Sequence, residues 1–525
     1  MTSDVKDIFD IFIIGGGING VGTARDAAGR GYSVCLCEAN DLGSGTSSAS
    51  SKLIHGGLRY LEYYEFGLVK KALEEREVLM TIAPHIISPM RFILPHSKAL
   101  RSWWLVRAGL FLYDHLARRK RLAGTRSVNL GKDPSENPLK PEFKRGFEYS
   151  DCWVDDARLV VLNAMDAAQK GAQIRVQNKV VKAQRHNGVW AVTSKDMMTG
   201  KNTTTYAKIL VNASGPWVDE VLDLALSYGH KKNVRQVRGS HIVVKTLFDH
   251  GKSYIFQNSD GRIMFAIPYE DDFTLIGTTD IDHGDNLNKI EISDKEAEYI
   301  CRYASEYFET PVKVSDIVWS FSGVRPLYDD GASEAQEATR DYVIETETAE
   351  QSLLINIFGG KITTYRKLSE GILEKVEAFL GKRKNAWTHK AALPGGDLGY
   401  KNIHDFTCAM QAEFPFLEQK YVARLARLYG TNIKIILDNV TCIKELGQDF
   451  GSGLYQREVE YLISHEWATT TEDILFRRTK IGLIMPPKDI ATLENFIRLK
   501  RAKSGKNEND ARQSKKASRS KSGVI

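Results

Sequence analysis

An α/β body followed by a purely helical C-terminal part is the architecture this sequence predicts, and three observations carry it. A short apolar run, Asp10-Ile-Phe-Ile-Ile14, leads into three glycines and a helix-length segment, Ile18 to Gly29, before a second apolar run, Ser33-Val-Cys-Leu-Cys37. Two later apolar runs, beginning at Ile209 and Leu353, each end on a turn of small residues, Ala213-Ser-Gly215 and Gly359-Gly360. Beyond Leu393-Pro-Gly-Gly-Asp397 the pattern turns to helical spacing, with helices expected over Glu418–Tyr429 and Glu458–His465.

Composition narrows the class. A chain of 525 residues exceeds one small core and suggests about three units. Its 42% hydrophobic and 26% charged residues exclude fibrous and disordered classes. The apolar stretch Trp103 to Tyr113 is broken by Arg107 and falls far short of the roughly 20 residues a bilayer requires. Met1 to Asp7 lacks the layout of a secretory signal, so neither a membrane span nor export is expected. Residues 499–525 hold nine Lys/Arg against two Asp/Glu, which leaves the rest at −1 of the whole chain's +6. We read that tail as basic and disordered, and expect no nucleic-acid partner for so neutral a body. Six scattered cysteines without a CxxC suggest neither a disulfide framework nor a zinc site.

The first element has a chemical meaning. Gly15-Gly16-Gly17-Ile18-Asn19-Gly20 satisfies GxGxxG, and Glu38 ends the second strand 18 residues past Gly20. Gly15 permits the tight turn, Gly17 lets backbone approach a pyrophosphate, and Gly20 lets helix pack closely on strand. The helix N-terminus offers N–H donors and a positive dipole end. Glu38 can accept hydrogen bonds from a ribose diol. Strand, glycines, helix, strand and acid in order predict a dinucleotide against Asp10 to Glu38. The later turns, at Ala213, Gly215 and Trp217 and at Gly359, Gly360, Lys361, Ile362 and Thr363, favour FAD over NAD. An NAD fold needs no further glycine turns so far along, whereas helix N–H groups near Thr363 suit an electron-rich flavin edge.

Other segments are more specific. Gly45-Thr-Ser-Ser-Ala-Ser-Ser-Lys-Leu-Ile-His-Gly-Gly-Leu-Arg-Tyr-Leu61 joins hydroxyls, two glycines, His55, Arg59 and Tyr60. Phe147-Glu-Tyr-Ser-Asp-Cys-Trp-Val-Asp-Asp-Ala-Arg158, Asn212-Ala-Ser-Gly-Pro-Trp217, Gly239-Ser-His-Ile-Val-Val244, Ser322-Gly-Val-Arg-Pro-Leu327 and Thr339-Arg-Asp-Tyr342 follow. Phe358-Gly-Gly-Lys-Ile-Thr-Thr-Tyr-Arg-Lys-Leu368 and Phe476-Arg-Arg-Thr-Lys480 complete the set. Over about residues 8–498 the chain resembles the FAD-dependent sn-glycerol-3-phosphate dehydrogenases of the aerobic respiratory type.

The resemblance implies an FAD-binding Rossmann-like domain with a mixed-sheet substrate domain, related to glycine and D-amino-acid oxidases, plus a helical C-terminal domain. The oxidoreductase body would cover 1–393, with FAD-binding mainly in 8–80, 147–228 and 346–385 and the substrate domain mainly in 81–146 and 229–345. The helical domain would cover 394–498. Thr46, Ser47, Ser48, Lys52, Leu53, His55, Gly57 and Val180 join the glycine turns as implied FAD contacts. The implied reaction oxidises sn-glycerol 3-phosphate to dihydroxyacetone phosphate and passes electrons to a membrane quinone. The implied place is the inner face of the cytoplasmic membrane. Mitochondrial relatives carry a transit peptide and calcium-binding loops; the sequence shows neither and looks bacterial.

The residues suit that chemistry. A phosphate dianion calls for Arg59, Arg325 and Arg340 as planar forks and Lys361 as a point charge, with Tyr60 and Thr363 adding neutral hydrogen bonds. Hydride loss from an alcohol needs a base on oxygen, and neutral imidazole suits it. His241 is preferred as base, with Arg325 or Lys361 favouring the alkoxide-like transition state, and His55 as a flavin-side contact. Arg101 to Arg121 reads as a helix with Arg107, Asp114 and Arg118 on one line at about 100° per residue, and Leu105, Val106, Leu112, Tyr113 and Leu116 opposite. Two tryptophans and a basic cluster suit contact with membrane lipid.

Three alternatives stay open. A glycerol-3-phosphate oxidase would use the same pocket with O2, though no extra insert is evident between residues 230 and 345. An amine or amino-acid oxidase would find the arginine cluster excessive for one carboxylate. A flavin-binding membrane protein without turnover would leave the histidines idle. The helical domain either packs on the body or mediates homodimer formation.

Overall fold

The computed structural model describes residues 8–96, 102–131, 137–226, 233–284, 286–287, 289–329 and 341–501. Its first strand, Ile8–Ile14, is buried from Asp10 onward because apolar residues stand at consecutive positions rather than alternating. It runs parallel to Asn202–Asn212 on one side and Val34–Cys37 on the other, and Ser352–Phe358 lies parallel beyond Asn202–Asn212. Val343–Ala349 closes one edge of this eight-stranded sheet and Gln173–Arg175 the other. Asn178–His186 and Val189–Asp196 add an antiparallel pair to the near half of Asn202–Asn212.

Three helices, Ile18–Gly29, Asp156–Gln169 and Tyr365–Leu380, pack together against this sheet. Their approach is close: a Cβ added at Gly22 would meet the Tyr365 ring at 2.6 Å. The helix bounds match the sequence reading at both ends of Ile18–Gly29.

A second, ten-stranded sheet includes Ile87–Pro95, Arg145–Val154, Val234–Lys245, Phe273–Gly277 and Ile317–Tyr328. Its long pairing of Val234–Lys245 with Ile317–Tyr328 places His241 opposite Phe321, Gly239 opposite Gly323 and Val237 opposite Arg325. Helix Asp294–Tyr307 covers part of this sheet, and its Ser293–Glu296 capping box anchors Arg238 and Ser240 through Glu296.

The helix expected over Arg101 to Arg121 runs from Trp103 to His115. Leu110 and Tyr113 face the core, and Tyr113 Oη donates to Asp151 at 2.8 Å. Leu105 and Leu112, expected opposite the charged line, lie outside with Trp104 and Phe111; exposures of 79% at Trp104, 59% at Phe111 and 55% at Leu105 define an apolar outer face. Among the described residues no helix is long and apolar enough to cross a membrane.

Past residue 400 the chain is helical, with Ile403–Glu413, Gln419–Tyr429 and Gln456–His465, then a π-helical turn Asp473–Arg478 and a helix over 487–501. That last helix continues three residues past the expected start of the basic tail, because Lys500 pairs with Glu460; the tail from 502 on lies outside the described residues. The helical part is docked on the body by buried ion pairs: Arg158 with Glu466, Lys480 with Asp155 at 3.0 Å, and Arg478 with Asp41 at 2.7 Å.

His85 sits against the Gly395 turn in this contact, 3% exposed, with no hydrogen-bond partner on either ring nitrogen. Burial, with the Arg158 cation nearby, pushes it down to about 3. The unfolded chain, titrating near pH 6.5, therefore takes up this proton first, and stability falls as pH drops from about 6.5 towards 3. Between pH 7 and pH 5 His85 should account for about 2 kcal/mol of lost stability. Melting temperatures of wild type and His85→Leu across that range check this: the variant should show the flatter profile.

Candidate active site

One cleft of about 1410 Å³ runs between the two sheets. At one end lies the glycine turn. Gly15 holds φ +107°, and a side chain there would strike the Ala213 carbonyl at 2.6 Å, so the first and second turns touch. An added Cβ at Gly20 would meet the Gly15 carbonyl at 2.0 Å, the close helix–strand packing expected of the third glycine. At Gly17 it would meet only Ser47 Oγ, at 3.2 Å, and that hydroxyl accepts from the Ile18 N–H at 3.0 Å at the start of the helix. Glu38 accepts from the Gly16 N–H at 2.6 Å and the Asn40 N–H at 2.8 Å, which fixes its carboxylate at the cleft wall. Burial raises its affinity for a proton.

At the other end the paired glycines Gly239 and Gly323 open a gap in the second sheet. A side chain at Gly239 would strike the Arg325 guanidinium at 2.6 Å, and one at Gly323 would strike Ala49 at 2.8 Å. The gap is flanked by His241 and Arg325, which the two-residue strand period puts on the same face. His241 stacks on Phe321 with centroids 4.9 Å apart and planes 15° apart, and its Nε2 lies 2.8 Å from Ser51 Oγ. Its Nδ1 is buried without a partner. Burial, then the Lys52 and Arg325 cations, hold this imidazole well below its ordinary range, so it is neutral near pH 7. Arg325 pairs with Asp280 and donates to Thr278 Oγ1 at 3.3 Å.

Lys361 Nζ lies 3.9 Å from the Tyr60 ring centroid, and Thr363 Oγ1 accepts weakly from the His55 N–H at 3.4 Å. His55 is likewise kept neutral, first by burial. Cations, a neutral base and hydroxyls thus line one cleft, which suits removal of a proton from a small anionic alcohol.

The opposite side of the His241 ring is closed by Gly277, whose added Cβ would meet His241 Cδ2 at 2.3 Å. With Phe321 stacked behind it, the ring has nowhere to retreat. Gly277→Ala should therefore lower kcat about 10-fold or more through misplacement of the imidazole, while FAD content stays unchanged. Steady-state assays beside the flavin-to-protein absorbance ratio check it.

Comparison with known proteins fits this geometry. The family described as FAD dependent oxidoreductase matches residues 10–366, and the C-terminal domain of alpha-glycerophosphate oxidase matches 386–511. The aerobic glycerol-3-phosphate dehydrogenase of Escherichia coli is 46% identical, over 90% of this chain and 94% of that protein. The chain belongs to the FAD-dependent glycerol-3-phosphate dehydrogenase family. A D-erythritol 1-phosphate dehydrogenase from Brucella abortus is 48% identical over 90% of this chain and 94% of its own. The glycerol-3-phosphate dehydrogenase of Bacillus halodurans, solved with FAD, superposes with a TM-score of 0.74 at 28% identity, covering 95% of this chain and 90% of that one. Glycine oxidase of Geobacillus kaustophilus shares the body's fold, with a TM-score of 0.53 at 18% identity over 72% of this chain and 96% of that one.

The cleft of this dehydrogenase-family chain fits the flavin cofactor on its own terms. It has an open approach at Gly17, a fixed carboxylate at Glu38 and a buried, partnerless Asn19 Oδ1. Of the sequence-predicted contacts, Gly15, Gly17, Ile18, Asn19, Glu38, Thr46, Ser47, Leu53, His55, Gly57, Val180, Ala213, Gly215, Trp217 and Gly359 through Thr363 line the cleft. So do Arg59, Tyr60, His241 and Arg325, while Arg340 lies outside the described residues.

Five expected contacts do not line it. Asp10 turns away to Ser33, Lys208 and Arg383; against the opposing effect of burial, Arg383 and these partners hold its carboxyl down to about 2. Lys52 is buried against Asp156 at 2.7 Å, so its ammonium is already matched within the protein, and Ser48 turns its carbonyl to the same ammonium. Gly16 and Gly20 shape the turn behind the wall.

The sequence reading missed Ser51 and Asp280, and it gave the C-terminal part no share of the cleft, although Thr470, Glu472, Asp473 and Arg477 line it. Ser51 stood inside a segment already singled out. Arg477 also stood inside a segment already singled out, but its partner Asp41 lies 436 positions away, so its place at the cleft could not be read locally.

Proposed function

We propose that this enzyme oxidises sn-glycerol 3-phosphate to dihydroxyacetone phosphate and passes the electrons to a membrane quinone. The observation that carries the reading is a neutral, buried His241 and the Arg325 and Lys361 cations lining one cleft. Bound FAD supplies the hydride acceptor. The chain supplies the rest: Arg325, Arg59 and Lys361 hold the phosphate, and Tyr60 and Thr363 orient the polyol. His241 takes the hydroxyl proton as the carbinol C–H electrons leave, so the carbonyl product is released neutral at that carbon. Glu38 and the start of helix Ile18–Gly29 can hold the ribose and pyrophosphate of the cofactor.

Membrane contact rests on the outer face of helix Trp103–His115. Trp104, Leu105, Phe111 and Leu112 are exposed there, and Tyr63 and Tyr64 are exposed on the neighbouring segment Leu58–Tyr63 and its cap. Such a face suits a helix lying in the lipid interface and would bring the cleft to a lipid-soluble acceptor at the cytoplasmic side of the membrane.

The test is anaerobic. sn-Glycerol 3-phosphate should bleach the flavin promptly, with fast reoxidation by a soluble quinone and slow reoxidation by O2. Fast peroxide formation would make the protein an oxidase. Faster bleaching by D-erythritol 1-phosphate would move the substrate to the four-carbon phosphate, and no bleaching by either would overturn the reading.

A further inference from the structure

The Phe476-Arg-Arg-Thr-Lys480 motif touches neither the sugar-phosphate chemistry nor the glycine turns in sequence, yet the fold brings its aromatic ring towards the base. Phe476 stacks on Trp319, with centroids 5.2 Å and planes 21° apart. Trp319 lies 5.1 Å from Phe321 at 40°, and Phe321 stacks on His241 at 4.9 Å and 15°. Trp319 and Phe321 are two apart on strand Ile317–Tyr328 and so share the face that carries His241's cross-strand partner. We infer that Phe476 of the C-terminal domain is a positioning residue for the base, holding the His241 ring in its reactive orientation through Trp319 and Phe321.

Both ends of this row are clamped. Behind Phe476, a Cβ added at Gly482 would meet its ring at 2.6 Å, so the ring cannot back away from Trp319. The turn that carries it is pinned to the nucleotide-binding body: Arg477 Nε meets Asp41 at 2.6 Å, Arg478 meets Asp41 at 2.7 Å, and Lys480 meets Asp155 at 3.0 Å. That turn is π-helical over Asp473–Arg478, a rare geometry that sets Phe476 between ion pairs pointing the other way. At the far end His241 is caught between Phe321 and Gly277, with Ser51 on its Nε2. A ring held by packed neighbours keeps the geometry that proton transfer requires, and loosening one neighbour broadens it.

The inference rests on His241 being the base, so the experiment separates the two. Phe476→Leu, His241→Asn and the double variant are assayed as FAD-loaded enzymes for kcat, KM and the rate of anaerobic flavin bleaching by sn-glycerol 3-phosphate. Phe476→Leu should lower kcat and bleaching about 5- to 10-fold in the wild-type background, with KM little changed, and less than 2-fold in the His241→Asn background. Phe476→Tyr, which keeps the ring, should restore most of the rate.

Equal losses in both backgrounds, or full activity of Phe476→Leu beside a disabled His241→Asn, would overturn the positioning role while leaving the base in place. Full activity of His241→Asn would overturn the base itself, and the inference with it. If Phe476→Leu fails to retain FAD, Trp319→Leu carries the same cycle through the next ring of the row.

Discussion

Changing His241 to asparagine is expected to lower kcat and the anaerobic bleaching rate about 10²- to 10⁴-fold, the range that a positioned general base contributes. Asparagine keeps the size of the side chain and removes only the proton acceptor, so FAD content should remain that of the wild type. The pH dependence adds a second expectation. Burial, Lys52 and Arg325 all disfavour the imidazolium, so the neutral base persists well below pH 6.5 in the folded enzyme. Wild-type kcat/KM should accordingly stay level through pH 6.5 and bend downward only at more acidic pH, and His241→Asn should lose that bend along with most of the rate. A variant that kept more than a tenth of wild-type activity, or a wild-type acid limb centred at pH 6.5 or above, would remove His241 from the role.

What was legible in the sequence divides along physical lines. Helix Ile18–Gly29 and its glycines could be read because each glycine answers a local requirement, a turn, an open approach or a tight contact, written within a few residues. His241 and Arg325 could be singled out because their segments resemble those of a known family. That they face one gap follows from the register of two strands some eighty residues apart. Lys52, implied as a flavin contact by the resemblance, has its charge met by Asp156, 104 positions on. Asp10 was likewise taken by Arg383, 373 positions away. Charge matching between distant segments leaves no periodicity to read, and the same holds for the C-terminal residues that close the cleft.

That docking provides the second large expectation. Arg158 and Glu466 form an ion pair with both side chains fully excluded from solvent, at the junction of helix Asp156–Gln169 and the C-terminal domain. Arg158 Nε also donates to the Leu428 carbonyl at 3.1 Å, and its guanidinium lies 4.9 Å from the Tyr429 ring centroid. Two buried charges lose much hydration and recover it mainly from each other, so removing one strands the other. Glu466→Leu should therefore cost about 3–5 kcal/mol. The double variant Arg158→Met/Glu466→Leu strands no charge, and should be less destabilised than Glu466→Leu alone. Arg478, 3.7 Å from Glu466, stays matched by its two contacts to Asp41 and does not upset the comparison. Guanidinium unfolding followed by tryptophan fluorescence, with flavin release recorded in parallel, would show both effects. Because this contact seats the segment that carries Phe476 and Arg477 against the cleft, flavin release from Glu466→Leu should precede the main unfolding transition. A single variant within 1 kcal/mol of wild type, or a double variant no more stable than the single, would mean that the pair does not hold the domain.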